Sequence, residues 1–301
     1  MVVPARLRPG RPATVGGVHP LTGDPDRSSR RRRVPVRGVL LAAGGTGRGE
    51  APPFEVMAGL ARAAESAGFD GVWVPDALPG AGSPGSPAYE AFTLLGALAT
   101  VTGSVVLGAL GSPVDRRPPA VLAKIVTTLD ALSGGRAVVA LAPPAGGAPD
   151  PTGQVEESIL AFRLVAAGEP ATLAGRYVHL DGAVSRPPAV RAEGVPLLVS
   201  IDPGLAGAAR LAGAGDGWVA SGGSAAAGLA GRLEGDRAVG DGGGSPPVSL
   251  AVLDAHLAPA DVVAAAHRAF GDGFTGVVVP VDPSDSGAEA LVAAAGPMLT
   301  V

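Results

Sequence analysis

Few residues in this chain can carry chemistry, and most of them sit where an apolar run ends. Gly71 to Pro75 is a short uninterrupted apolar segment that stops at Asp76. A carboxylate there either caps the following turn or acts as a general acid or base, a role worth about 10²–10⁴ in rate. Val248 to Leu253 runs into Asp254 and His256, and a histidine exchanges protons readily near neutrality. Ser104 to Leu110 leads to Gly111 and Ser112, then to Arg116 and Arg117, whose guanidinium groups suit phosphate or carboxylate. Ala137 to Ala142 leads to Pro143. Val195 to Ile201 carries Ser200 and continues through Asp202-Pro203-Gly204 toward an expected helix over 205–214, whose first amides would favour a phosphate. Asp202 would oppose that phosphate by like charge. Arg37 to Ala43 opens into Gly44-Gly45-Thr46-Gly47-Arg48-Gly49. The candidate catalytic residues are therefore Asp76 and His256. The candidate binding residues are Gly44, Asp76, Gly111, Ser112, Pro143, Ser200 and Gly204.

Other chemistries are excluded. The chain has no cysteine, so thiol catalysis, disulfides and thiolate metal sites are impossible. The four histidines, at 19, 179, 256 and 267, are scattered without metal-ligand spacing, and no metal is expected. Glu156 and Glu157 are adjacent on a helical segment, so they point about 100° apart and form no carboxylate pair. No Gly-x-Ser-x-Gly elbow occurs, and Ser133 precedes a strand rather than following one.

The elements that must hold these residues follow one plan, best seen at 118–142. Pro118 and Pro119 suit a helix start, where amides lack partners anyway. Val121, Leu122, Ile125, Leu129 and Leu132 follow at helical spacing and predict an apolar face. Gly134 and Gly135 supply the stop, and Ala137 to Ala142 reads as a strand buried on both faces. The same alternation predicts strands at 37–43, 71–75, 104–110, 195–201, 217–221, 248–253 and 276–281. Helices are expected at 54–67, 90–101, 154–167, 205–214, 222–234, 260–270 and 286–295. Residues 171–184 read as a hairpin insert. Eight strands alternating with eight helices imply parallel βαβ units, and eight units close a (β/α)8 TIM barrel in a single domain. An open doubly wound sheet has the same periodicity. In a barrel the site lies at the strand C-termini, which is where the residues above fall. Asp130 and Arg136 lie before a strand, at the opposite end, and read as stabilising.

The chain of 301 residues is 47% hydrophobic but only 3% aromatic, so its core must be built from Val, Leu and Ala. Residues 1–33 hold eight Arg against Asp24 and Asp26, a charge of +6, which leaves −10 for the rest of a chain of net charge −4. This Pro-, Gly- and Arg-rich segment is expected to be a disordered tail, and 34–301 the folded domain. An acidic body argues against a nucleic-acid partner. No apolar run reaches about 18 residues, so no membrane span is expected. A charge and a proline follow Arg30 to Arg33 where an export signal needs an apolar core, so the expected location is cytoplasmic.

Three blocks carry a resemblance. Leu129-Asp130-Ala131-Leu132-Ser133-Gly134-Gly135-Arg136, preceded by Arg117-Pro118-Pro119-Ala120 and Leu122-Ala123-Lys124, is one. The run from Ala64 to Asp76 and the segment Gly215-Asp216-Gly217-Trp218 are the others. In this order they resemble the luciferase-like monooxygenases, and the resemblance spans much of 36–301. It implies a (β/α)8 barrel that uses reduced coenzyme F420 or FMN on a small organic substrate, by hydride transfer or oxygenation, and that often forms a homodimer. It also implies that Asp76 lies near the cofactor ring and Ser112 at the ring edge after an irregular peptide. The chain departs from the family pattern in places. Ala77 stands where His commonly follows the acid, and Arg117-Pro118-Pro119 where the family has Arg-His-Pro. Prolines at 143–144 replace polar side chains. With those imidazoles missing, a cofactor-binding barrel without turnover is the alternative. The Gly44–Gly49 loop resembles that of nucleotidyltransferases, which need a lysine soon afterwards; the single lysine is Lys124.

Overall fold

The computed structural model describes residues 36–42, 51–76, 89–144, 148–202, 204–205, 207–220, 228–238 and 248–299. Eight parallel strands close a barrel: β1 (Arg37–Leu41), β2 (Gly71–Pro75), β3 (Val106–Pro113), β4 (Ala137–Ala142), β7 (Leu197–Ile201), β8 (Gly217–Ala220), β9 (Val248–Val252) and β10 (Gly276–Val281). β1 pairs with β10 on one side and β2 on the other, so the ring has no free edge and the open-sheet alternative falls. The helices are α1 (Phe54–Ser66), α2 (Ala91–Ala99), α3 (Pro119–Ser133), α4 (Pro151–Ala166), α5 (Ala208–Ala214), α6 (Leu229–Ala238), α7 (Pro259–Gly271) and α8 (Ala288–Met298). The insert is an antiparallel hairpin, β5 (Ala171–Ala174) and β6 (His179–Ala183). The expected tail at 1–33 and the Gly44–Gly49 loop lie outside the described residues.

The strands are uninterrupted apolar runs because both of their faces are buried. Leu40, Trp73, Val138, Leu198, Leu250 and Val278 point into the barrel, and their neighbours Val39, Val72, Val139, Leu197, Ala251 and Val277 pack under the helices. Trp73 is fully buried and crosses the interior. Glycine on both flanking strands makes room for it. A Cβ at Gly38 would come within 2.6 Å of its Nε1, and one at Gly108 would fall inside the indole.

The end opposite the mouth is tied by polar side chains. Arg136 donates to the carbonyls of Ser133, Ala99, Thr102 and Val105 and to the Thr102 hydroxyl. Buried Asp130 accepts from the amides of Ala137 and Val190 and pairs with Arg191. These contacts draw in the buried face of α3, which consists of Leu122, Ala123, Val126, Thr127, Leu129, Asp130 and Ser133. Apolar periodicity alone had put Val121 and Leu132 on that face. They are instead 48% and 73% exposed, because two hydroxyls and a carboxylate occupy core positions that a hydrophobic count skips.

Candidate active site

The mouth is formed where the strands end. Alternation from the inward residues gives an upper collar of Ala42, Pro75, Leu110, Ala142, Ser200, Val252 and Pro280. Ser200 is the polar side chain among the described collar residues. Its Oγ is enclosed and has no hydrogen-bond partner among the described residues. Ser112 Oγ is in the same condition, in a residue only 1% exposed. An enclosed hydroxyl without a partner costs about 1–3 kcal/mol, so a bound group that hydrogen-bonds Ser200 would be stabilised there; Trp73 Nε1, deeper in the barrel, is likewise without a partner among the described residues.

β3 does not end regularly. Ala109 pairs with Val139 of β4, but the next partner of Leu141 is Ser112, so Leu110 and Gly111 together oppose one residue. Gly111 takes φ 74°, which a side chain would strain. The bulge bends the rim and reverses the alternation beyond it. Ser112, the partner of the helix-facing Leu141, therefore turns toward the helices rather than the barrel axis.

Asp76 is 3% exposed, and its amide donates to the Leu110 carbonyl (2.8 Å), which brings it beside Gly111 and Ser112 on adjacent strand ends. It follows Pro75, so it also falls on the helix-facing side. There both of its carboxylate oxygens accept from Arg117, at 2.7 and 3.0 Å. Arg117 also donates to Glu90 at 2.8 Å and lies over the Phe92 ring, 5.3 Å from its centroid. Burial pulls the Arg117 pKa down, but the hydrogen bonds and charge of Asp76, with those of Glu90, outweigh it and hold the pKa above its ordinary value. Burial likewise works against the Glu90 carboxylate, yet hydrogen bonds from the Thr93 amide and hydroxyl hold it below the usual range. The three side chains fasten the end of β2 and the starts of α2 and α3 into one unit.

The remaining candidates are more dispersed. His256 is exposed on the loop after β9, in the left-handed region at φ 63°. Pro143 is half-buried just past β4, and Gly204 lies beyond β7 at φ 146°. The helix expected from 205 begins at Ala208, because Asp202 opens a turn. The amides of Gly204 and Leu205 donate to its carbonyl at 2.9 and 3.0 Å and so are spent within the chain. Gly44 lies outside the described residues. No group of three or more acidic or histidine side chains among the described residues is arranged to hold a metal ion.

The luciferase-like monooxygenase family model matches residues 36–295, the whole barrel. The chain belongs to the luciferase-like monooxygenase family. One relative, a 5,10-methylenetetrahydromethanopterin reductase from Methanolobus tindarius, is 31% identical over 139 residues, or 44% of this chain and 40% of that protein. The match thus spans about two fifths of the curated relative. Among solved structures, the coenzyme F420-dependent tetrahydromethanopterin reductase from Methanopyrus kandleri superposes with a TM-score of 0.69 at 16% identity, covering 88% of this chain and 98% of that one. An F420-dependent secondary alcohol dehydrogenase in complex with an F420–acetone adduct gives 0.70 at 17% identity, with the same coverage. At these identities the likeness speaks to the fold.

In this member of the family the departures noted in the sequence have a structural counterpart. Arg117, in the altered Arg-Pro-Pro segment, is bound to Asp76 itself. Glu90, which completes the cluster, was missed in the sequence. Its available signal was local: Thr93 three residues on and the apolar Phe92-Leu94-Leu95 behind it mark a helix N-cap. That Ser112 turns outward while Ser200 points in had no signal in the sequence, since it depends on the bulge.

Proposed function

We propose that this luciferase-like protein is an oxidoreductase that binds reduced coenzyme F420 at the barrel mouth and acts on a small organic substrate. The observation that supports it most is the enclosed, unpartnered hydroxyl of Ser200, which points into a mouth whose other described collar residues are apolar. A planar ring with polar edges suits that setting. Leu110, Val252 and Pro280 would flank such a ring, and Ser200 would hold one of its edge atoms by a hydrogen bond. The names of the relatives add support, since the two solved structures above are described as F420-dependent. FMN is the competing cofactor within the family, and oxygenation the competing reaction. The nucleotidyltransferase reading of Gly44–Gly49 gains nothing from the closed barrel or the relatives.

When bound, the deazaflavin supplies the hydride. The protein supplies the surroundings. Leu110, Val252 and Pro280 exclude water from the mouth. Ser200 orients the ligand by a hydrogen bond, with Gly111, Pro143 and Gly204 at the rim and Ser112 behind it on the helix-facing side. Asp76 is a positioning residue that acts through Arg117 to hold the rim after β3. His256, exposed to solvent, is the group that exchanges a proton with substrate.

Titration of the purified protein with F420, FMN and a nucleoside triphosphate, followed by fluorescence quenching, tests this. Saturable F420 binding with hydride transfer is expected, weakened about tenfold by Ser200→Val. FMN binding alone reassigns the cofactor, binding without hydride transfer makes the protein a barrel without turnover, and no binding of either refutes the reading. We also propose a homodimer, supported by the exposed Val121 and Leu132 on one face of α3. Light scattering should give twice the chain mass, reduced to the monomer by Leu132→Glu. The cytoplasmic location stays a proposal. Its support is the absence of cysteine and, among the described residues, of any helix long and apolar enough to cross a membrane.

A further inference from the structure

Outside the mouth, a groove of about 420 Å³ runs between the start of α3, the first two turns of α4 and the β5–β6 hairpin. Its size is within the range of small-molecule sites, roughly 300–1,000 Å³. Val114, Pro118 and Leu180 are among its apolar walls. Gln154 and Ser158, one turn apart on α4, face it from one side, and His179 of β6 faces it from the other. Gln154, Ser158 and His179 have no side-chain hydrogen bond among the described residues, although Ser158 is buried. Arg117 also lines the groove, and its bonds to Asp76 and Glu90 use three of its five N–H groups.

We propose that this groove is a second ligand site, for a small neutral molecule bearing several hydroxyl groups. The chemistry of the lining selects that class. A carboxamide, a hydroxyl and an imidazole each donate and accept, which hydroxyl groups match in both directions. A carboxylate only accepts and an ammonium only donates, so either leaves part of the lining unpartnered in a half-enclosed space. Charge points the same way. The Arg117 cation is already balanced by Asp76 and Glu90, so it offers an anion little net charge. A cation would sit against the guanidinium. The Val, Pro and Leu walls suit the C–H faces of a polyol.

The hairpin gives the groove its fixed outer wall. The Glu157 carboxylate accepts the amides of Arg176, Tyr177 and Val178 at 2.7–3.0 Å, and the Tyr177 hydroxyl donates to Asp150 at 2.6 Å. The site is therefore pre-formed rather than closed by the ligand.

The test uses three molecules of one shape: sorbitol, its carboxylate counterpart gluconate, and its amine counterpart glucamine. The intact protein carries labelled Val and Leu methyl groups, and NMR shifts are read at Val114, Val178 and Leu180, with Leu197 and Val199 as remote controls. Sorbitol is expected to give saturable shifts confined to the groove methyls, in roughly the millimolar range for about twelve heavy atoms. Gluconate and glucamine should bind at least about fivefold more weakly. Gln154→Leu with Ser158→Ala should weaken sorbitol about tenfold, and His179→Leu, on the exposed hairpin, should also weaken it while leaving the fold untouched. Shifts that never saturate, equal or stronger binding of either charged analogue, or binding indifferent to these variants overturns the proposal. The experiment is run without cofactor and read only at the groove methyls, so its failure is distinguishable from a failure of cofactor binding at the mouth.

Discussion

Replacing Arg117 by Ala removes the cation from the cluster at the end of β2. It leaves the 3%-exposed Asp76 carboxylate with neither guanidinium hydrogen bond and Glu90 with one fewer. Breaking a buried pair from one side costs about 3–5 kcal/mol, chiefly because the remaining charge stays buried without compensation. Against a typical domain stability of roughly 5–15 kcal/mol this is a large fraction. For a barrel of this size it corresponds to a fall in Tm of about 6–20 °C. The assay is urea unfolding followed by circular dichroism, with Arg210→Ala as the control. Arg210 also pairs with a carboxylate, Glu156, but is 66% exposed, and such pairs contribute about 0–1 kcal/mol. Arg117→Lys should recover only part of the loss, since an ammonium cannot bind both Asp76 oxygens in the same fork. The double variant Asp76→Leu with Arg117→Met should be less destabilised than Arg117→Ala, because no buried charge is stranded. If Arg117→Ala costs no more than Arg210→Ala, the cluster does not fasten these elements and the reasoning fails.

Other predictions follow from the same geometry. Gly108→Ala should cost about 1–3 kcal/mol or more, since its methyl would overlap the indole of Trp73; combining it with Trp73→Leu should recover part of that loss, read by thermal melts. Ser200→Ala should leave the free protein as stable or more stable by up to about 1 kcal/mol, because it removes an unpartnered hydroxyl, while weakening cofactor binding; melts with and without F420 separate the two signs. Burial opposes the Glu157 carboxylate, but three amide hydrogen bonds outweigh it and lower its pKa; for Asp150 the Tyr177 hydroxyl and then the Gly153 amide do the same. A carboxylate with a depressed pKa in the folded state stabilises above its unfolded pKa, near 4.5 for Glu157 and 3.8 for Asp150, and that contribution is lost as pH falls through the folded value. Amides 176–178 should therefore lose hydrogen-exchange protection as pH falls below 4.5 and through the lowered folded value, after correction for intrinsic rates, and Glu157→Gln should abolish the dependence on that carboxylate.

Much of this protein was legible in the sequence because its elements announce themselves locally. β2, β4 and β10 begin and end where their apolar runs do, since a parallel strand buried on both faces admits no polar residue to blur its limits. The hairpin insert was readable from its short, polar-flanked strands, and the family from three separated blocks. Closure of the ring was not readable, because hydrophobic period is the same in an open sheet; only the β1–β10 and β1–β2 pairings decide it. The inward direction of Ser200 and the outward turn of Ser112 were likewise decided by tertiary structure, since one extra residue at the Gly111 bulge reverses every side chain after it. So was the partner of Asp76. Arg117 is 41 residues away, and a charge pair leaves no trace in spacing when the two residues are brought together only by the packing of α3 beside β2 and β3.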